Sequence, residues 1–173
     1  IGNAVSLETV GPESVRLINQ QGTTRTRGIE ALASWRMKPW KVMASYLFLD
    51  TEELDAVGGT RREIPLTPRH SAGLVAMWED HDRGRVGLEV YYTGTQTLED
   101  NPYRTKSKPY VHVGLLGEIV LGRYRLFLNL ENLLNVRQSR EDPLIRPSRA
   151  PSGRWTVDAW SPLEGFIANA GLR

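Results

Sequence analysis

The chain of 173 residues contains no cysteine, which excludes disulfide bonds, thiolate metal sites and cysteine nucleophiles. Long hydrophobic runs are also absent. The longest apolar stretches, 73–78 and 113–122, are short or interrupted by Glu118, whereas a membrane helix needs about 20 apolar residues. No signal peptide is expected in IGNAVSLETV, because it lacks a basic segment followed by an apolar one. Membrane helices are therefore excluded, but membrane strands are not, since half of their residues are polar.

The sequence also lacks a large excess of charge of one sign, because 22 Lys and Arg are balanced by 20 Asp and Glu. A net charge of +2 does not favour nucleic acid as a partner, even with the basic segment 104–108. His70, His81 and His112 form no metal-binding pair, and no nucleophile or phosphate-binding motif is present. We expect a protein that is not an enzyme, with no catalytic residue, metal site or cofactor.

What the sequence does contain is a regular alternation of apolar and polar residues. In the segment RLFLNLE, Leu126, Leu128 and Leu130 share one face of an extended chain, and Arg125 and Asn129 share the other. Several other segments have the same period of two, and none has a sustained helical pattern. The sequence therefore predicts an all-β protein.

The alternation and the turn residues define the strands. We predict eight strands and a further short one, at 2–10, 14–20, 26–37, 40–50, 69–79, 84–94, 110–121, 123–133 and 165–173. Many have the length of about 9–11 residues that a tilted membrane strand needs. Short turns are predicted at 11–13, 38–39, 80–83 and 122, and longer loops at about 20–25, 51–68, 95–109 and 134–164.

Short turns at one end of a sheet and long loops at the other are typical of outer-membrane barrels, with periplasmic turns and extracellular loops. Aromatic residues near the strand ends would then lie at the membrane interfaces. One apolar face per strand does not distinguish lipid from a protein core, so a soluble β-barrel ligand binder or sandwich is an alternative. A complete small outer-membrane barrel of about eight strands, with a structural or adhesive role, is another.

Motifs along the chain add to this pattern. They are Asn19 followed by TRTRGIE (24–30), SYLFLD (45–50), IPLTPRHSAG (64–73), YTGTQ (92–96), LNLENLLNVRQ (128–138) and WSPLEGFIANAGLR (160–173). In this order and spacing they resemble the C-terminal part of TonB-dependent outer-membrane receptors. The pair ENLLNVRQ and W-x-P-x-x-G is the most specific, and it looks most like receptors of the Bacteroidetes type.

The resemblance implies a transmembrane antiparallel β-barrel segment of about eight or nine strands. Residues 1–173 would form the C-terminal portion of the barrel, and the plug domain would lie outside this chain. The implied function is energy-coupled uptake of a scarce nutrient, such as a ferric siderophore or cobalamin, across the outer membrane of a Gram-negative bacterium. The implied partners are outer-membrane lipid, the receptor's own plug, the inner-membrane TonB complex and a small-molecule or metal-chelate substrate.

Two sets of residues are candidates for roles in such a receptor. Charged residues on the polar strand faces would point into the lumen, where water and the plug satisfy charges that lipid cannot: Glu30, Arg36, Arg85, Glu89, His112, Glu118, Arg125 and Glu131. Loop residues would bind substrate, and their arginines suit an anionic ligand: Arg61, Arg62, Glu63, Tyr103, Arg104, Arg149, Arg154 and Trp155. For each single residue, an ordinary solvated side chain is the alternative.

Overall fold

The computed structural model describes residues 5–11, 14–19, 23–54, 59–151 and 153–173. Its strands are β1 (Val5–Gly11), β2 (Ser14–Asn19), β3 (Arg25–Met37), β4 (Trp40–Leu54), β5 (Arg61–Arg62), β6 (His70–Asp80), β7 (Gly84–Thr93), β8 (Tyr110–Leu121), β9 (Tyr124–Glu131) and β10 (Ile167–Leu172). A single turn of 3₁₀ helix covers Gln138–Arg140. Among the described residues, no helix is long and apolar enough to cross a membrane. The all-β prediction is confirmed.

The strands form one antiparallel meander in the order β10-β9-β8-β7-β6-β4-β3, with β5 paired to β4. A separate hairpin contains β1 and β2. Within the described residues, β3 and β10 are the outermost strands and do not pair with each other. A complete small barrel closes its sheet by pairing the outermost strands, and the described part of the chain does not show that pairing.

The observed strands follow the predicted ones closely, with one difference in the loop predicted at 51–68. There β4 continues to Leu54 and pairs with the two residues of β5. This extension contains acidic and basic residues in place of an apolar alternation, so its pairing left no hydrophobic pattern in the sequence. The start of the strand predicted at 2–10, most of the turn at 11–13 and part of the loop at 20–25 lie outside the described residues.

The strand register gives the sheet two different faces. One row of paired residues runs across the sheet through Trp35, Val42, Ala76, Leu88, Leu115 and Leu130. The side chains of this row and of the rows beside it are apolar and exposed or half-buried, as Trp35 (50%), Met37 (60%) and Leu128 (44%) illustrate. The buried hydrophobic residues of the described chain are Leu98, Ala150 and Trp160, and all of them lie in loops. A soluble barrel would bury this apolar face in a core, which the described residues do not do.

Aromatic side chains lie at both ends of the apolar face. Near the short turns, Trp40 pairs with Trp78 across β4 and β6. Near the loops, Tyr46 and Tyr92 lie in one row, separated by Ala72. Two aromatic rows that flank an apolar band match the interfacial girdles of membrane barrels.

The turn between β6 and β7 shows how tightly the short connections are built. The Asp80 carboxylate accepts hydrogen bonds from the backbone N–H groups of Asp82 (3.0 Å) and Arg83 (3.2 Å). Gly84 follows with φ of +137°, and a Cβ there would lie 1.9 Å from the carbonyl oxygen of Glu118 in β8. Only glycine fits this conformation and this close approach.

Candidate functional site: the loops and the polar face of the sheet

The loop that follows β9 is held in place by the buried side chain of Asn132, which is 2% exposed. Its amide nitrogen donates to the carbonyl oxygens of Val136 (2.8 Å) and Glu164 (3.0 Å). Its oxygen accepts a hydrogen bond from the backbone N–H of Val136 at 2.9 Å. Asn132 has φ of +50°, a conformation that asparagine tolerates better than most residues. One side chain thus closes the turn after β9 and brings the segment before β10 back beside it.

A second buried amide, Gln138, fixes the far end of the same loop and is fully buried. Its side-chain oxygen accepts from the Trp160 backbone N–H at 2.8 Å, and its nitrogen donates to the Asp158 carbonyl at 2.9 Å. The Trp160 carbonyl in turn accepts from the side chain of Gln96 at 2.9 Å. The loops 134–164 and 95–109 are therefore connected through the backbone of Trp160.

Glu63 joins the loop after β5 to the loop after β7. Its carboxylate accepts a hydrogen bond from the Thr97 hydroxyl and forms ion pairs with Arg69 (2.9 Å) and Lys106 (3.4 Å). The hydrogen bond from Thr97 and the nearby Lys106 and Arg69 charges lower the pKa of Glu63 below its ordinary value of 4.5, against the opposing effect of burial. The ionised carboxylate is therefore the form that holds the two loops together.

The lowered pKa predicts that acid loosens this connection. Because the pKa of Glu63 is lower in the folded chain, its contribution to stability is complete above the ordinary pKa and disappears as the pH falls through the folded value. We expect the distance distribution between spin labels on loops 59–69 and 95–109 to broaden between about pH 7 and about pH 3. In Glu63→Gln the part of the broadening due to this carboxylate should be lost. Equal broadening in both proteins would contradict the prediction.

Arg62 and Arg61 of β5 contact carboxylates of their own neighbourhood. The Arg62 guanidinium binds Glu53 on β4 at 2.9 Å and Glu99 at 2.6 Å. The Arg61 guanidinium lies 3.6 Å from Glu52 and donates to the Thr23 hydroxyl at 3.3 Å. Arg62 thus connects the hairpin of β4 and β5 to the loop after β7, and Arg61 connects the same hairpin to the segment before β3. Part of the charge of both arginines is already neutralised.

Arg104 forms the most enclosed ion pair of the loops. Its guanidinium donates to Asp142, which is 7% exposed, at 2.7 Å and lies 5.3 Å from the centre of the Trp160 ring. The neighbouring Tyr103 hydroxyl donates to the carbonyl of Ile145 at 2.5 Å. Both contacts connect the loop after β7 to the loop after β9.

Arg149 and Trp155 differ from the other loop candidates because they face outward. The Arg149 guanidinium lies 4.8 Å from the centre of the Trp155 ring, and the ring is 50% exposed. Arg149 has no ion-pair partner within the described residues, whereas the nearby Arg154 is paired with Asp158. The segment that carries them is held as a hairpin by pairing of Ile145 with Thr156. This hairpin presents an exposed cation on an aromatic ring.

The polar face of the sheet contains a charged cluster near the short turns. The Glu118 side chain, 5% exposed, contacts Arg85 at 3.3 Å and Arg125 at 3.0 Å on the strands to either side. Farther along the same face, Glu89, His112 and Glu131 line a depression of about 280 Å³. No group of three or more metal-binding side chains is found within the described ranges.

Residues 1–133 match the family described as TonB dependent receptor-like, beta-barrel. The chain belongs to this family. Among solved structures it is similar to the closed form of the ferric-catecholate import receptor Fiu from E. coli K12, with a TM-score of 0.64 and 18% identity. The match covers 99% of this chain and 23% of the Fiu chain. No curated protein matches the chain.

The resemblance to TonB-dependent receptors is thus confirmed, and the family is one of transport receptors. The structure places the eight predicted lumen residues on one face of this receptor sheet, as their positions in the register require. Of these residues, Arg85, Glu118 and Arg125 form one cluster, and Glu89, His112 and Glu131 line the depression. Glu30 and Arg36 lie on β3, away from both groups. Their lumen orientation stays a prediction.

The eight loop candidates fall into two groups. Arg61, Arg62, Glu63, Tyr103, Arg104 and Arg154 all contact other loop or strand residues, and Arg149 and Trp155 contact each other at an exposed position. Substrate binding by any of them stays a prediction. The anchoring roles of Asn132, Gln138 and Gln96 were not predicted. Asn132 and Gln138 lie within the motif ENLLNVRQ. Amide side chains in a motif directly after a predicted strand were the sequence feature from which their anchoring roles could have been predicted.

Proposed function

We propose that the chain is part of an outer-membrane receptor that imports a scarce nutrient by TonB-dependent, energy-coupled transport. Membership of the receptor barrel family is the observation that carries this proposal. The arrangement of the sheet supports it, since short turns lie at one end and mutually attached loops at the other. Residues 1–173 would be the C-terminal portion of the barrel, with the plug domain elsewhere in the receptor.

The two faces of the sheet suggest where each partner lies. The exposed apolar face with its aromatic rows would contact outer-membrane lipid, since lipid removes the cost of exposing such a surface. The polar face would line the lumen and contact the plug, with Glu89, His112 and Glu131 positioned to receive plug side chains in their depression. The inner-membrane TonB complex would act on the plug, and this chain would supply the surrounding wall.

The substrate proposed is a metal chelate or similar small molecule, such as a ferric siderophore or cobalamin. The structurally similar receptor Fiu imports ferric catecholates. In this chain, Arg149 on the Trp155 ring is the loop candidate whose cation is exposed and lacks a carboxylate partner within the described residues. An exposed guanidinium and an aromatic ring suit an anionic chelate with aromatic groups. Arg61, Arg62, Glu63, Tyr103, Arg104 and Arg154 would shape the surrounding loops.

Uptake by the full-length receptor tests this proposal. In cells that lack other receptors for the same compound, radiolabelled ferric siderophore or cobalamin should accumulate only when a functional TonB complex is present. The double variant Arg149→Gln with Trp155→Ala should bind the imported compound more weakly by about 1–3 kcal/mol, because a charge-assisted contact is lost. Arg83→Gln, in the short turn after β6, is the matched control and should bind normally. Uptake that does not depend on TonB would contradict the proposed function.

A further inference from the structure

A cavity of about 540 Å³ lies where the loop after β9 meets the ends of β7 and β8. Tyr92 and Val111 form part of its wall, and these two residues pair across β7 and β8 on the apolar face of the sheet. Leu134, which is 56% exposed, adds a further apolar surface from the loop. The cavity is therefore continuous with the apolar face, at the loop end of the strands.

Basic side chains lie beside this apolar wall. Arg137 and Arg140 line the cavity, and neither has an ion-pair partner within the described ranges. Lys108 also lines it and is paired with Glu141. The local charge is thus positive, with two guanidinium groups that no carboxylate neutralises. Most arginines of the other loops have carboxylate partners, so this pair differs from them.

The same cavity is lined by residues whose buried polar atoms have no hydrogen-bond partner. They are the Arg137 Nε, the Trp160 indole nitrogen and the Ser161 hydroxyl. Trp160 and Ser161 are 3% and 8% exposed. Buried donors in native proteins are nearly always paired, because leaving one unpaired is unfavourable. Unpaired donors beside unneutralised arginines indicate a ligand that carries several acceptor oxygens and negative charge.

We propose that this cavity binds the phosphate headgroup of an anionic lipid of the outer leaflet, with the acyl chains lying along the apolar face. This inference rests on the proposed location in the outer membrane. Arg137 and Arg140 would bind the phosphate oxygens, because guanidinium groups form strong, charge-assisted hydrogen bonds to phosphate. Tyr92, Val111 and Leu134 would contact the adjoining apolar part of the lipid. A free inorganic anion would gain nothing from contact with that apolar wall. A lipid would contact both the basic side chains and the apolar wall of the cavity.

Lipid binding to the full-length receptor in a zwitterionic detergent tests this site. Native mass spectrometry would compare bisphosphorylated lipid A with its dephosphorylated form and with inorganic phosphate. We expect the phosphorylated lipid to bind at least about tenfold more tightly than the dephosphorylated one, the effect of losing one hydrogen bond to a charged group. Arg137→Gln with Arg140→Gln should remove most of this preference, and Arg83→Gln with Arg123→Gln, two charges removed from the short turns, should leave it unchanged.

Two measurements separate a folding defect or an import defect from loss of this site. Arg140 is exposed on the 3₁₀ turn, so Arg140→Gln alone should fold normally, migrate as a heat-modifiable barrel on gels and still weaken binding of lipid A. Substrate uptake is scored separately, and a receptor that imports nothing yet prefers lipid A through Arg137 and Arg140 would contradict only the transport proposal. Equal binding of both lipids, displacement of lipid A by equimolar phosphate, or wild-type binding by the double variant would each overturn the lipid site.

Discussion

Replacing Leu88 with arginine is expected to destabilise the receptor in a bilayer by about 2–4 kcal/mol, the cost of a lipid-facing arginine near the midplane of a barrel. Leu88 lies on the apolar face, opposite Ala76 on β6 and Leu115 on β8. Its neighbours on that face offer no acceptor for a guanidinium group. Unfolding of the full-length receptor in lipid vesicles by denaturant, followed by tryptophan fluorescence, would measure the loss of free energy.

Glu89→Arg is the matched control, because it introduces the same residue one position farther along β7 and on the opposite face. Glu89 lies between Val75 and Gly114 and lines the depression on the polar face. If the polar face lines the lumen as proposed, water and the plug solvate charges there, and we expect a change well below that of Leu88→Arg. Equal losses in the two variants, or a neutral Leu88→Arg, would mean that the apolar face does not meet lipid.

Gln138→Ala is expected to detach the loop that follows β9. The variant leaves the Trp160 N–H and the Asp158 carbonyl without their partner, and each buried group left unpaired costs about 1–3 kcal/mol. A loss of one or two kcal/mol raises the fraction of open loop by about 5- to 30-fold. Trypsin cleavage after Arg149 on intact cells should accelerate by a comparable factor.

Two neighbouring substitutions sharpen this test. Ser139→Ala removes an exposed hydroxyl from the same 3₁₀ turn and should leave the cleavage rate unchanged. Gln138→Glu keeps an oxygen that accepts from Trp160, but it places a second acceptor against the Asp158 carbonyl at a fully buried position, so we expect cleavage well above the natural rate. A cleavage rate in Gln138→Ala equal to that of the natural protein would show that the loop is held by its other contacts.

The strand segments and the two faces of the sheet were predictable because both depend on local pattern. A period of two places Leu126, Leu128 and Leu130 on one face in any extended chain, whatever they later contact. The short turns follow from residues such as Gly84 and Gly122, whose positive φ values few other residues tolerate. The family was predictable for a similar reason, since its motifs are stretches of contiguous residues that can be recognised before folding.

Only the tertiary structure determined which loop residues meet. Glu63 and Lys106 are 43 positions apart in the sequence, and Gln96 and Trp160 are 64 positions apart. The alternation of apolar and polar residues carries no information about contacts between residues so far apart in the chain. Most of the loop arginines that were predicted to bind substrate are paired with carboxylates. The pairs form because the meander brings loops 51–68, 95–109 and 134–164 to one end of the sheet. The amino-acid sequence by itself determined the family, the faces of the sheet and the strands other than β5 and the end of β4. The choice between a free and a paired charge depended on long-range packing, which local periodicity does not encode.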